Sequence, residues 1–353
     1  MSEATKEAME YIIEHKQIKT VFQPIISLKD GKTLGHEALS RITCDSDITN
    51  TEMLFGVAGE CNRLWDLEQL CRYTALQAAY KYMIPPYSKM LFLNVNPNIL
   101  HDLNFKKGFT IDFLKQFHIA PENIIFEITE RNVIDDMNGF LSTIDHYRSQ
   151  DYKIAIDDAG AGYSGLNLIS DIHPNFIKLD MKLIRGIDKD KLKYTLVKGM
   201  TELSEACNIT LIAEGIETRE ELETLIAIGI QYGQGYYIQR PSEVIDKVNP
   251  ELKDLILRLN HLKETRNVIN HSYYGLPMLE YDVSISFLMN KKIMIAEYDT
   301  PIQSLYQRLT SSEIDQNYDF IILTEQGRVW GIIKTEELIK SIKQNGMMRL
   351  NYS

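Results

Sequence analysis

Carboxylates occupy an uncommon place in this chain, at or near the ends of short apolar runs. Ile124-Ile125-Phe126 leads into Glu127 and, three residues on, Glu130. Ile154-Ala155-Ile156 leads into Asp157 and Asp158, Ile177-Lys178-Leu179 into Asp180, and Leu211-Ile212-Ala213 into Glu214. Leu34–Arg41 carries Glu37, and Phe92-Leu93 precedes Asn94, with Asn96 two residues further. A buried carboxylate is costly unless it is paired or bound to a metal, whereas one solvated loop acid means little. Acids brought together from several segments would raise one another's pKa values unless a cation sat among them. Oxygen donors without clustered histidine or cysteine suit Mg²⁺ or Mn²⁺ rather than Zn²⁺. Two adjacent aspartates suit a pair of metals sharing an oxygen, the arrangement behind in-line attack on phosphate esters. The residues alone therefore point to metal-assisted hydrolysis of a phosphodiester or phosphomonoester. Lys178 is the positive side chain in this set. It would orient water or steady developing charge, or else pair with Asp180, two residues away on the same strand face.

Something must carry these groups to one place. Eight apolar runs read as strands: Val21–Leu28, Leu34–Ile42, Met90–Asn96, Ile124–Thr129, Ile154–Asp158, Phe176–Asp180, Thr210–Glu214 and Gly235–Ile238. Helical spacing falls in Thr74–Met83, Asn138–Ser149, Asp190–Cys207 and Arg219–Ile228. Strand alternating with helix predicts parallel pairing, and eight strands in this span predict an α/β fold, a closed (β/α)8 TIM-like barrel whose C-terminal mouth holds the acids. An open doubly wound sheet is the competing architecture, but no glycine-rich phosphate loop follows an early strand. The first two runs are joined only by Lys29-Asp30-Gly31-Lys32, a hairpin signal, so one strand is expected to be antiparallel.

A length of 353 residues predicts two domains. The barrel domain is expected over 1–243, a charged connector helix over 244–270, and a small α/β unit over 271–353. The formal charge of -11 argues against gripping a nucleic-acid polymer or an anionic membrane. The four cysteines, Cys44, Cys61, Cys71 and Cys207, form no CxxC pair and read as reduced thiols. With no signal peptide in the acidic start and no apolar run of membrane-spanning length, a cytoplasmic protein is expected.

Seven motifs occur in order: Gln23-Pro24-Ile25; Glu37-Ala38-Leu39 with Arg41; Phe126-Glu127 with Glu130; Asp157-Asp158 running to Gly162-Tyr163-Ser164; Lys178-Leu179-Asp180; Ala213-Glu214-Gly215 with Glu217; and Gln234-Gly235-Tyr236. Over residues 12 to 243 the sequence closely resembles the EAL-domain phosphodiesterases of bacterial cyclic di-GMP signalling, whose fold is a barrel with one antiparallel strand. The resemblance implies cleavage of cyclic di-GMP to linear pGpG with two divalent cations, Mg²⁺ or Mn²⁺. It implies metal ligation by Glu37, Asn94 in preference to Asn96, Glu127, Asp157 and Asp158. Glu214 is implied as a ligand or general base and Lys178 as a neighbour of the attacking water. Arg41, Gln234 and Gln23 are implied around the substrate, Glu130 as a holder of the loop after its strand, and a homodimer as the assembly. Tyr163, Tyr236 and Tyr237 are candidates for stacking on guanine. Ala159 stands where the family usually has Phe, and Gly165 where it has Ser, which would loosen that loop.

The C-terminal unit, through Asp299-Thr300-Pro301, Tyr318–Ile321, Gly327-Arg328-Val329 and Gly331–Thr335, resembles a single CBS motif, which implies a nucleotide site. Against the active enzyme stand two other readings: a catalytically inactive cyclic di-GMP receptor signalling through that unit, and an interaction scaffold, which leaves the gathered acids unexplained.

Overall fold

The computed structural model describes residues 2–83, 89–96, 99, 102, 104–106, 108–129, 137–160, 165–260, 292–297, 300, 302–310, 318–325 and 328–344. Two compact units divide the chain, 1–260 and 261–353.

The first unit is a closed barrel of eight strands in chain order. They are β1 (Ile18–Ser27), β2 (Thr33–Ile42), β3 (Met90–Val95), β4 (Ile124–Thr129), β5 (Lys153–Ala159), β6 (Phe176–Leu179), β7 (Thr210–Ala213) and β8 (Tyr232–Gly233). Neighbours from β2 to β8 pair in parallel, and β1 is antiparallel to both β2 and β8. The antiparallel strand follows from the short Asp30-Gly31 connection. Ser27 and Lys32 close the hairpin with a 2.8 Å backbone bond, and Gly31 adopts φ +67°, which glycine supplies without steric cost.

The expected eighth strand, Gly235–Ile238, is displaced. Pairing is confined to Tyr232–Gly233, and the Tyr236-Tyr237-Ile238 run is a turn that packs back on the barrel. A Cβ on Gly235 would lie 2.2 Å from the backbone nitrogen and oxygen of Ile216. The chain crosses Ile216 too closely there for a side-chain-bearing strand.

Helices wrap the outside: α1 (Glu3–Glu14), α2 (Thr51–Glu60), α3 (Leu64–Met83), α4 (Phe109–Phe117), α5 (Met137–Arg148), α6 (Gly165–Ile172), α7 (Met181–Ile184), α8 (Lys191–Cys207) and α9 (Arg219–Ile228). The residue pattern predicts no element over α1 or α2. α1 buries Met9, Ile12 and Ile13 against Leu54, Val57 and Ala58 of α2. A last helix of this unit, α10, spans 250–260 rather than starting at 244. It buries Leu252 and Ile256 in the barrel core, and the Asn260 side-chain amide donates to the Leu28 carbonyl at 2.7 Å. The rest of the expected connector lies outside the described residues.

The second unit is a three-stranded sheet with β10 (Phe320–Glu325) in the centre. β9 (Ile293–Glu297) pairs with it in parallel and β11 (Arg328–Lys334) antiparallel. With α11 (Ile302–Thr310) and α12 (Thr335–Gln344), it closes a small core of Met294, Ala296, Leu305, Ile321, Leu323, Ile333 and Leu338.

Candidate functional site

The two-residue period of strands places the site. Ile25, Phe92, Ile125, Ala155, Phe176 and Ile212 form one buried apolar cluster with one residue from each of six strands. Two positions along the same face of each strand come Gln23, Asn94, Glu127, Asp157, Lys178 and Glu214. On five of these strands the polar residue follows the apolar one. On β1 it precedes it, because that strand runs the other way. The polar groups thus form a layer next to an apolar plug, on the side of the C-terminal strand ends.

Glu37 joins them from β2, opposite Gln23 in the antiparallel ladder, while Asn94 is the register partner of Glu127. Asp158 should point to the opposite face from Asp157. Instead, the β5–β6 register shifts between Ile156 and Ala159, and Asp158 takes φ +56°. That bulge brings carboxylate oxygens of Asp157, Asp158 and Glu214 within 4.8 Å of one another. A left-handed conformation at a non-glycine residue is uncommon and concentrates at functional positions.

Lys178 lies at the centre, fully buried. Its Nζ is 2.7 Å from Glu127 Oε1, 2.8 Å from Glu214 Oε1, and 3.2 Å from both Asp157 Oδ1 and Glu37 Oε2. The lysine's ion partners therefore come from four other segments of the barrel. Asp180 instead caps α7, its carboxylate accepting from the Lys182 amide at 2.6 Å. One cation among four carboxylates leaves the cluster negative. Both oxygens of Glu127 and Oδ1 of Asp157 are buried without a well-directed hydrogen-bond donor, although Lys178 is near in distance. Buried acceptors left in this way are costly and call for a further cation. An all-oxygen donor set of this kind fits divalent metal ions.

The electrostatics follow. Burial, reinforced by the neighbouring acids, pushes Glu127 and Glu214 well above the usual carboxylate range, with Lys178 opposing. Burial also acts on Glu37, but Lys178 and hydrogen bonds from Gln234 and Asn94 outweigh it and hold that carboxyl low. Lys178 stays charged against burial because Asp157, Glu127, Glu214 and Glu37 surround it, and its pKa lies well above the ordinary value.

The Asn94 amide nitrogen donates to Glu37 Oε1 at 3.2 Å, so its Oδ1 remains the acceptor end. The Gln234 amide nitrogen donates to Glu37 Oε2 and to Gln23 Oε1, and that of Gln23 donates to the Gln239 carbonyl. Both glutamines are buried, Gln23 opposite Glu37 in the ladder and Gln234 bonded to it. Arg41 is exposed and lines a cleft of about 800 Å³ together with Glu37, Asn94, Asp158 and Phe55. Tyr237 is half-buried against the core, whereas Tyr236 is exposed with the Arg240 guanidinium 4.3 Å from its ring centre. Ala159 is buried in the core, 2 % exposed. Glu130 and Tyr163 lie outside the described residues.

Sequence reasoning passed over one buried pair. Glu68 and Arg72 on α3 are 2 % and 3 % exposed and bond to each other at 3.0 Å. The Arg72 guanidinium also donates to Thr110 Oγ1 at 2.8 Å and lies over the Phe109 and Phe126 rings. An acid four residues before a base on a helix reads as a solvated surface pair, so only the apolar residues around it could have signalled burial.

Comparison with known proteins places these features. The EAL domain family model matches residues 4–241. The cyclic di-GMP phosphodiesterase PdeF of Escherichia coli K12 is 26% identical over 248 residues, covering 68% of this chain and 32% of that protein. The probable cyclic di-GMP phosphodiesterase PdeA of the same organism is 29% identical over 229 residues, covering 64% and 30%. The chain spans about a third of the length of these two curated relatives. Among solved structures, a standalone EAL protein from Vibrio cholerae O395 in its c-di-GMP bound form is 33% identical. The TM-score is 0.57, with 66% of this chain and 96% of that one covered. BlrP1 of Klebsiella pneumoniae in a manganese/cy-diGMP complex is 31% identical with a TM-score of 0.58, covering 64% and 56%.

Proposed function

The chain belongs to the EAL domain family, and on that premise we propose that it hydrolyses cyclic di-GMP to the linear dinucleotide pGpG. The observation that carries this reading is the ring of acids from four segments of the barrel around Lys178, with carboxylate oxygens of Asp157, Asp158 and Glu214 within 4.8 Å of one another. Glu37, Asn94, Glu127, Asp157 and Asp158 would hold two divalent cations, Mg²⁺ or Mn²⁺. When bound, such ions neutralise phosphate oxygens and lower the pKa of water.

The chain's own groups do the rest. Glu214, beside Asp157 and Asp158, takes up the proton of the attacking water or serves as a further ligand. Lys178 Nζ holds the acids in register and faces the charge that develops at phosphorus. Arg41, at the open cleft, binds the far side of the anion. Gln234 and Gln23 lie around the substrate, where Gln234 also fixes Glu37 and is itself held by Gln23. Water adds across one phosphodiester, so that a P–O bond opens, a hydroxyl is released and a terminal phosphate is left. Metal ions and Arg41 explain how a protein of charge -11 takes an anionic substrate.

In the same proposal the chain works in the cytoplasm as a homodimer, with residues 1–243 as the barrel domain and 244–270 as the connector. A CBS-like unit at 271–353 binds a nucleotide. Among the described residues no helix is long and apolar enough to cross a membrane.

The test is incubation of the purified chain with cyclic di-GMP and Mg²⁺ or Mn²⁺, products being resolved by chromatography. pGpG that a chelator abolishes supports the enzyme. Tight binding without product favours an inactive receptor instead.

A further inference from the structure

Pairing of β3 ends at Leu93 on the β2 side and at Val95 on the β4 side. The next amide, that of Asn96, donates to the carboxylate Oε1 of Glu68 at 2.8 Å, while Glu68 Oε2 accepts from Arg72. Arg72 is in turn fixed by Thr110 and by the two aromatic rings. The end of β3 is therefore moored to a helix by one buried carboxylate. Two residues before that mooring stands Asn94, whose amide reaches Glu37.

We infer that Glu68 is a positioning residue for the metal site: by holding the Asn96 amide it sets the strand end that presents Asn94 beside Glu37. This rests on the metal-dependent reading above. Glu68 touches neither metal nor substrate in this scheme and acts only through the backbone of β3. Groups that orient metal ligands from behind commonly change metal affinity about 10- to 100-fold when removed.

The Glu68–Arg72 pair permits a separation of positioning from stability. Replacing a buried ion pair by apolar residues of similar size is often neutral for folding, whereas removing one partner is not. The double variant Glu68→Leu/Arg72→Met therefore keeps the fold but removes the acceptor for Asn96. The double variant Glu68→Gln/Arg72→Met also removes both charges but restores that acceptor through the Gln carbonyl. Mn²⁺ binding to the metal-free full chain, measured by calorimetry alongside melting temperature, gives the readout.

The expected result is Mn²⁺ binding weakened at least about tenfold in the Leu/Met variant and within about twofold of wild type in the Gln/Met variant. Both should melt as folded proteins. Equal Mn²⁺ affinity in the two variants overturns the positioning role while leaving the metal site standing. Absence of Mn²⁺ binding by the wild-type chain sinks the metal reading and this inference with it. If the Leu/Met variant does not fold, Glu68→Gln/Arg72→Met decides alone, since affinity lost despite the restored acceptor contradicts the mooring.

Discussion

Lys178 Nζ and Glu127 Oε1 lie 2.7 Å apart with no solvent exposure on either side chain. A single pair at this depth would barely repay its desolvation. Here the lysine also faces three more acids, and Glu127 also faces two of them, so neither residue has a private partner. The lysine acts as a fixed internal cation that makes a crowded acidic layer tolerable.

Lys178→Met should accordingly destabilise the chelated protein by about 3–5 kcal/mol, the usual cost of stranding a buried partner. Turnover of cyclic di-GMP should be lost. Mn²⁺ should raise the melting temperature of this variant more than that of wild type. Melting curves with and without chelator decide it, and an unchanged metal-free stability would contradict the central position of the lysine.

Glu127→Gln should behave in the opposite way. The substitution removes a carboxylate that burial and two like charges already push towards the neutral form. The metal-free fold should melt at the same or a higher temperature, while turnover falls by about a hundredfold or more, as when one transition-state contact is removed. Stability and rate measured on one preparation separate the two effects.

Acid should weaken the barrel through a residue outside the site. His36 is 6 % exposed, and burial, helped by Lys89, pushes its pKa from 6.5 down to about 4. Between those values the unfolded chain binds a proton that the folded chain refuses. The contribution is thus fully present above pH 6.5 and is lost as pH falls towards 4, in total about 3 kcal/mol. Denaturant titrations at stepped pH should show this slope, and His36→Gln should flatten it.

Gly215→Ala should disturb Glu214, its neighbour in sequence. Gly215 has φ +65°, and an added Cβ would sit 2.4 Å from the Met181 Cβ. Strain of both kinds predicts a loss of more than about 1 kcal/mol. kcat should fall out of proportion to stability, because the residue moved is a site carboxylate. Wild-type kcat in a less stable variant would show that Glu214 tolerates the shift.

Much of this was legible in the residues. The hairpin followed from Asp30-Gly31, seven strands from their apolar runs, and the acidic layer from polar groups repeating two positions after apolar ones. What escaped depended on distant neighbours. The eighth strand is two residues long and placed by the close crossing at Ile216, which no local pattern encodes. The gathering of Asp157 and Asp158 was legible in their adjacency, but not the bulge that turns Asp158 to the same side. The bond from Gln234 to Glu37 joins residues 197 positions apart, and only closure of the ring brings them together. Glu68 and Arg72 carry the spacing of a surface pair, and only the packing of α3, Phe109 and Phe126 makes them internal.

The reversed first strand has one more effect. Ile18, where β1 begins, sits opposite Ile42, where β2 ends, so the polypeptide enters at the rim that carries the acids. The helix before it leans on α2, and Thr51, Phe55 and Gly59 of α2 wall the cleft. Most parallel barrels receive their leading segment at the far end, insulated from catalysis by the full height of the sheet. In this one, any movement of α1 has a lever one helix long to the mouth of the cleft.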